Sequence, residues 1–386
     1  VRRVFRHPGV LLGGFLALAT LSVMNSAYSN VLDAIKAEMG LSYSQAGALM
    51  SAYFTGYAVG QVPWGVLADR RGSRPIIALS VLGVSASTFL FGLSGGVEVA
   101  LATRFLAGLL GAGVFVPCVR LVSGWYKSDE RGTALGVLSI GGSLGLMVAA
   151  WAAPLLAQGA GWRTTSWAVG AAGVAVSALV WLLIRDGDQT AYGGIDLSAL
   201  PLRNRGFWLL ASTQFIRLGS YYTFIAWLPL VLREEYGLSV VATSGALSIF
   251  NVAGMFANPL GGVVSDRVGK KAVVAASLAL MALALLAFTR ELTGPAVYAT
   301  VLVLGWFINF VRSPTFTIIP DMFGPESAGS ISGIHNTFAS IGALALPLTL
   351  GMVRDATASY AAGWAALSAL LLAGAALVHL LKVPGE

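Results

Sequence analysis

Four arginines and one histidine stand inside otherwise apolar stretches: Arg104, Arg120, Arg217, Arg312 and His335. An ionisable side chain in the middle of an apolar helix is costly in lipid and faces a cavity or a partner. A guanidinium is always charged, and its planar fork of donors holds a carboxylate through two parallel hydrogen bonds. The acidic residues lie elsewhere: Asp33, Glu98, Asp129, Glu130, Asp321 and Glu326 all fall at the ends of apolar runs or between them. No carboxylate of the chain shares the depth of these arginines, and a bound anion would supply one. Imidazole titrates near neutrality, so His335 is the candidate for a coupling proton.

Depth and helical phase rank the arginines. At 1.5 Å per residue Arg217 lies roughly 16 Å into its run, near the middle of a bilayer, and Arg312 is similarly deep. Arg120 is near enough to an end to snorkel toward the headgroups. Arg104 and Arg120 are sixteen positions apart, about 160° at ~100° per residue, so a straight helix turns only one of them toward a common pathway. Pro117 is placed to kink that helix, and both orientations stay open. Gln214, Arg217 and Tyr221 follow an i, i+3, i+7 course, and Asn309, Arg312 and Thr315 an i, i+3, i+6 course. Tyr28, Tyr57 and Asn336 complete the candidate substrate-binding set. Each Tyr or Asn equally suits a hydrogen bond between helices. Trp64, Trp151 and Trp227 suit packing.

The elements that must position these residues are membrane spans. Of 386 residues 56% are hydrophobic and only 11% charged, against about 25% charged in soluble proteins. A spanning helix needs about 20 mostly apolar residues. Twelve runs qualify: 9–31, 45–67, 75–95, 99–126, 132–157, 163–184, 207–232, 240–264, 271–290, 295–319, 328–353 and 360–382. The polar stretch after the sixth run divides the chain into bundles at 1–184 and 207–386, joined by a cytoplasmic linker at 185–206. The first run is too long for a signal-peptide core, so it is expected to stay as a span. With the N-terminus inside, 15 Lys and Arg fall on inner segments and five on outer loops, which predicts cytoplasmic termini in a multi-pass cytoplasmic (inner) membrane protein. Cys118 is the only cysteine, which excludes an internal disulfide.

The halves repeat. GVLADRRGSRP (Gly65 to Pro75) follows the second run and GGVVSDRVGKK (Gly261 to Lys271) follows the eighth. This spacing resembles motif A of the major facilitator superfamily. The resemblance implies a conformational latch built from Gly65, Asp69, Arg70 and Gly72 and from Asp266, Arg267 and Gly269. Arg104-Phe-Leu-Ala-Gly108 resembles the same superfamily's motif B. The fifth run lacks the Gly-Pro pair of drug/proton antiporters. More narrowly, GYAVGQVPWGVLADR, VPCVRLVSGWYKSDERGTALG, QFIRLGSYYTFIAWLPLVLREEYG and SGIHNTFASIGALALPLTLG resemble the anion:cation symporter family of vesicular glutamate transporters, sialin and bacterial sugar-acid permeases. In those relatives an arginine twelve residues before a proline in span 7 binds a carboxylate, as Arg217 stands before Pro229, and a second in span 4 corresponds to Arg104. Three positions depart from that family. Tyr28 replaces an arginine in span 1, Gly111 replaces a glutamate in span 4, and Met50 stands near a histidine found in some members.

The resemblance implies an all-α membrane protein of major facilitator fold, with twelve transmembrane helices in two pseudo-symmetric six-helix bundles. The expected activity is secondary active transport of a small organic anion, a mono- or dicarboxylate or sugar acid, by alternating access with proton symport. The alternatives are a drug or metabolite exporter working as a proton antiporter, and an uncoupled anion exchanger. No metal-ligand spacing, P-loop or catalytic triad stands out, so neither an enzyme nor a cofactor is expected. The expected partners are the anion, a proton and the bilayer around a monomer, with no nucleic acid.

Overall fold

The computed structural model describes residues 7–126, 128–187, 201–290, 292–323 and 328–383. The first apolar run folds as α1 (Pro8–Ser26), a 3-10 turn at Ser29–Val31 and α2 (Leu32–Met39). Its sequence predicts one helix over 9–31. The structure breaks it because the Ser29 hydroxyl and the Asn30 amide both donate to the Ser26 carbonyl, each at 2.8 Å. These side chains compete with backbone N–H groups for the acceptor, and the helix resumes beyond them.

Then come α3 (Tyr43–Arg71), α4 (Ser73–Phe91), α5 (Val97–Trp125) and α6 (Ser128–Leu183). α6 is two helices end to end, because Gly161 (φ 79, ψ 163) leaves the helical region. The second half contains α7 (Arg205–Glu234), α8 (Val240–Val268), α9 (Lys270–Ala287), α10 (Gly294–Phe310), α11 (Arg312–Phe323), α12 (Ala328–Thr357) and α13 (Tyr360–His379). The tenth run is divided at Val311. Pro314 has no N–H to give the Phe310 carbonyl, and the Thr315 hydroxyl donates to the Val311 carbonyl.

Among the described residues ten helical stretches are long and apolar enough to cross a membrane. One of them, Ala134–Leu183, has 50 residues, roughly 75 Å of helix against a hydrocarbon core of ~30 Å, and its bend makes it two crossings. Counting it twice and adding the less apolar α3 gives twelve. The outward faces are apolar: Leu182, Val62 and Phe256 are 69%, 63% and 62% exposed. In water such a surface would drive aggregation; in lipid it is solvated.

The chain forms two compact units. Unit 1 takes the described residues of Val1–Leu41 and Ala48–Tyr192, and unit 2 those of Ser42–Gly47 and Gly193–Glu386. Each uses the same packing scheme. In unit 1 α1 packs on α6 and α4 on α5 and α6; in unit 2 α7 packs on α12 and α9 on α10 and α13. Matching glycines allow matching close approaches. A Cβ on Gly141 would lie 2.4 Å from the Phe15 carbonyl oxygen, and one on Gly342 would lie 2.1 Å from that of Phe215. Both copies of the repeated turn are closed by a glycine with positive φ, Gly72 at 88° and Gly269 at 100°. A side chain would be strained at either, which is why glycine ends α3 and α8 there.

Candidate functional site

The polar interior of unit 2 is built on α7. Gln214 and Arg217 are one turn apart and both buried, at 1% and 4% exposure. The Arg217 Nε donates to Gln214 Oε1 at 2.9 Å. That bond turns the Gln214 amide nitrogen away from the arginine, and Nε2 is left buried without a hydrogen-bond partner. Tyr221, the next residue on this face, is half-buried with its ring 6.4 Å from Phe250 of α8. Arg217 lies within electrostatic reach of Arg312, Tyr221 and Tyr222, and Tyr221 within reach of both arginines.

Arg312 opens α11 at the break in the tenth run. It is half-buried and makes no hydrogen bond or ion pair among the described residues. Its position adds the partial positive charge of a helix N-terminus to that of the guanidinium. Two like charges in a low-dielectric interior repel, and an anion between them turns that repulsion into attraction. Asn309, half-buried in the last turn of α10, donates to its own helix at Gly305 O, 2.9 Å away.

Unit 1 treats its buried arginine differently. The Arg104 guanidinium donates to the carbonyls of Met24 (3.4 Å), Asn25 (3.3 Å) and Leu49 (3.3 Å) and to Asn25 Oδ1 (3.2 Å). It also lies over the rings of Tyr28 (4.0 Å) and Tyr53 (4.8 Å). Met24 and Asn25 are in the last turn of α1, where carbonyls have no partner within the helix. Arg104 therefore caps α1 and ties it to α3, and Tyr28 serves as its stacking surface. A cavity of about 10 Å³ beside this group is lined by Arg104, Tyr28, Thr88, Thr165 and Ser166, roughly room for one water. Arg120 is half-buried further along α5, and Tyr57 is half-buried with its ring 6.1 Å from that of Tyr53.

His335 of α12 is fully buried, with Nε2 3.1 Å from the Phe207 carbonyl and its ring 4.8 Å from the Phe207 ring. A carbonyl only accepts, so Nε2 carries the proton and Nδ1 presents a lone pair. Nδ1 has no hydrogen-bond partner. Asn336 beside it is half-buried.

At the repeated turns Arg70, Asp266 and Arg267 are exposed, and a side chain on Gly65 would meet nothing within 4 Å. The side chain of Asp69 lies outside the described residues. Two further acids bind at these turns. Asp186 accepts from the Ser73 and Arg74 N–H groups at 2.8 and 2.9 Å in unit 1, and Asp321 accepts from Lys270 in unit 2. Tyr222 of α7 also lies within electrostatic reach of Arg217, and the helical spacing did not point to it. Its only signal was its adjacency to Tyr221, on a different side of the predicted stripe.

Comparison with known proteins agrees with this architecture. The Major Facilitator Superfamily model matches residues 10–347 and 210–384, and the chain belongs to that family. It is a multi-pass membrane transporter and not an enzyme. It is 27% identical over 372 residues to a probable sulfoacetate transporter of Cupriavidus necator, covering 88% of this chain and 86% of that one. It is 28% identical over 386 residues to a probable galactarate/D-glucarate transporter of Bacillus subtilis, covering 89% and 83%. A probable nitrate/nitrite transporter of Mycobacterium tuberculosis is 28% identical over 357 residues, covering 88% and 89%. In fold the chain matches a bacterial homologue of the human lysosomal transporter Spinster, with a TM-score of 0.80 at 19% identity and 96% of each chain covered.

Proposed function

We propose that the protein moves a small organic anion across the cytoplasmic membrane by alternating access, as a monomer with both termini inside, and that transport is coupled to a proton. The observation that carries the anion reading is the pairing of Arg217 with Arg312 in one interior, beside a buried amide donor on Gln214 that lacks an acceptor. A carboxylate or sulfonate accepts hydrogen bonds from guanidinium and amide donors of these types. The sulfoacetate and sugar-acid transporters among the relatives support an anion with a further polar or charged end, and the nitrate transporter defines the smallest competitor. The proton reading rests on His335 Nδ1, a buried lone pair with no partner. Gly65, Asp69, Arg70 and Gly72 at one repeated turn and Asp266, Arg267 and Gly269 at the other act as cytoplasmic latches in this scheme.

Thermal unfolding of the purified protein with sulfoacetate, D-glucarate and nitrate tests the anion reading, with cationic drugs as controls. Stabilisation by at least one anion is expected, with its loss in Arg217→Ala and Arg312→Ala. Stabilisation by cations alone, or anion binding unchanged in both variants, refutes the site.

A further inference from the structure

We propose that the cavity beside Arg104 is a binding site for one resident water molecule, which accepts a hydrogen bond from the Tyr28 hydroxyl and holds that ring against the guanidinium. The site lies wholly within unit 1.

The space sits at the break in the first apolar run, where Ser29 and Asn30 both bond the Ser26 carbonyl. Ala27, Tyr28 and Val31 of that break form one wall, and α4, α5 and the part of α6 beyond Gly161 form the others. It is enclosed: none of its twelve lining residues is more than 8% exposed. A volume of about 10 Å³ admits one water and is too small for a carboxylate or a sulfonate.

Hydrogen-bond chemistry decides what the space holds. The hydroxyls of Ser87, Thr88, Thr103, Thr165 and Ser166 each donate to the carbonyl four residues back, at 2.8–3.0 Å. With their protons committed, these side chains offer the cavity only lone pairs. Tyr28 is the converse. Its hydroxyl is buried with no hydrogen-bond partner among the described residues, and the adjacent guanidinium only donates. A buried hydroxyl left in that state is costly. Arg104 makes four bonds to oxygens with its five N–H groups, so it too has a donor to give.

The guest must therefore accept from a phenol or a guanidinium and donate to hydroxyl oxygens. Water does both. Chloride suits the donors but meets the lone pairs with no proton to give, and it is larger than water. A sodium ion suits the lone pairs but is repelled by Arg104, and no carboxylate lines the wall to offset that. The water fixes the Tyr28 ring, whose centroid is 4.0 Å from Arg104 Cζ. It also ties the cap on α1 to hydroxyls of neighbouring helices.

The test is X-ray hydroxyl-radical footprinting of the purified full chain, read by mass spectrometry, with oxygen-18 water mixed in just before exposure. A resident water makes radicals inside the protein. Corrected for intrinsic reactivity, Tyr28 and Phe91 should be oxidised about fivefold more than Phe207 and Phe224, which are equally buried but do not line the cavity. The early product should carry the light isotope of water that entered before mixing. Ala107→Val puts methyl groups into the cavity and should abolish the excess labelling. It should also lower Tm, and lower it less in a Tyr28→Phe background, where no hydroxyl is left without a partner. Labelling of Tyr28 no greater than that of Phe224 means a dry cavity and overturns the site. Immediate uptake of oxygen-18 means open exchange with bulk solvent and overturns it too. Labelling that changes when potassium gluconate replaces sodium chloride puts an ion there instead of water. These readings on the unaltered protein decide the matter even if neither variant folds.

Discussion

At the scale of single residues, the two buried arginines that the sequence treats alike have different jobs because their acceptors differ. Arg104 is met by carbonyls that the break after Ser26 leaves without helical partners. Arg217 bonds the Gln214 amide oxygen and has Arg312, Tyr222 and Tyr221 within electrostatic reach. Arg104→Lys keeps the charge but loses the fork, so two or more carbonyls lose their donor. A loss of about 2 kcal/mol in unfolding free energy is expected, with the anion-induced shift in Tm preserved. Arg312→Gln should do the reverse: little change in stability, and at least tenfold weaker anion binding by titration calorimetry, since a charged hydrogen bond is worth about 1.5–3 kcal/mol. If Arg104→Lys abolishes anion binding at unchanged stability, the two roles have been assigned the wrong way round. The existence and depth of these arginines were legible in the sequence. Their partners were not, because a backbone carbonyl freed by a helix break carries no residue signature.

At the scale of elements, apolar runs and glycines define the helices and how closely they approach. The run lengths were readable because lipid forces every backbone group into a helix. The breaks at 27–31 and at Val311 were not readable, since they arise from Ser29, Asn30 and Thr315 side chains taking carbonyls inside runs that remain apolar overall. Helix contacts allow a direct comparison. A methyl on Gly342 would press on the Phe215 backbone oxygen, which lies in another helix and cannot rotate away. Gly342→Ala is therefore expected to cost about 1–3 kcal/mol through overpacking. Gly65→Ala meets open space within a helix and should stabilise by about 0.5–1 kcal/mol. Chemical unfolding of both variants checks the pair, and equal effects would mean that the approach of α7 to α12 is not set by the glycine.

At the scale of the whole molecule, the repeat explains how one scheme of packing supports two unlike interiors. Both units pair their helices in the same order, but among the described residues only unit 2 has a buried histidine. Coupling that histidine to transport requires a proton to reach Nδ1, because Nε2–H is committed to the Phe207 carbonyl. Protonation there creates a cation in the same bundle as Arg217 and Arg312, so it raises the positive charge facing an incoming anion. Proton and anion then favour each other's binding, which is the requirement of symport, and linkage makes the effect reciprocal. The sign follows: anion affinity should rise as pH falls through the titration of the opened site. His335→Gln keeps a side chain able to donate to Phe207 O but cannot take up a proton. In proteoliposomes it is expected to lose accumulation driven by a pH gradient while anion-for-anion exchange persists, because exchange returns each unit loaded and needs no net proton movement. A variant that still accumulates anion with the pH gradient would remove His335 from the coupling, and one that loses exchange as well would make it part of the binding site instead.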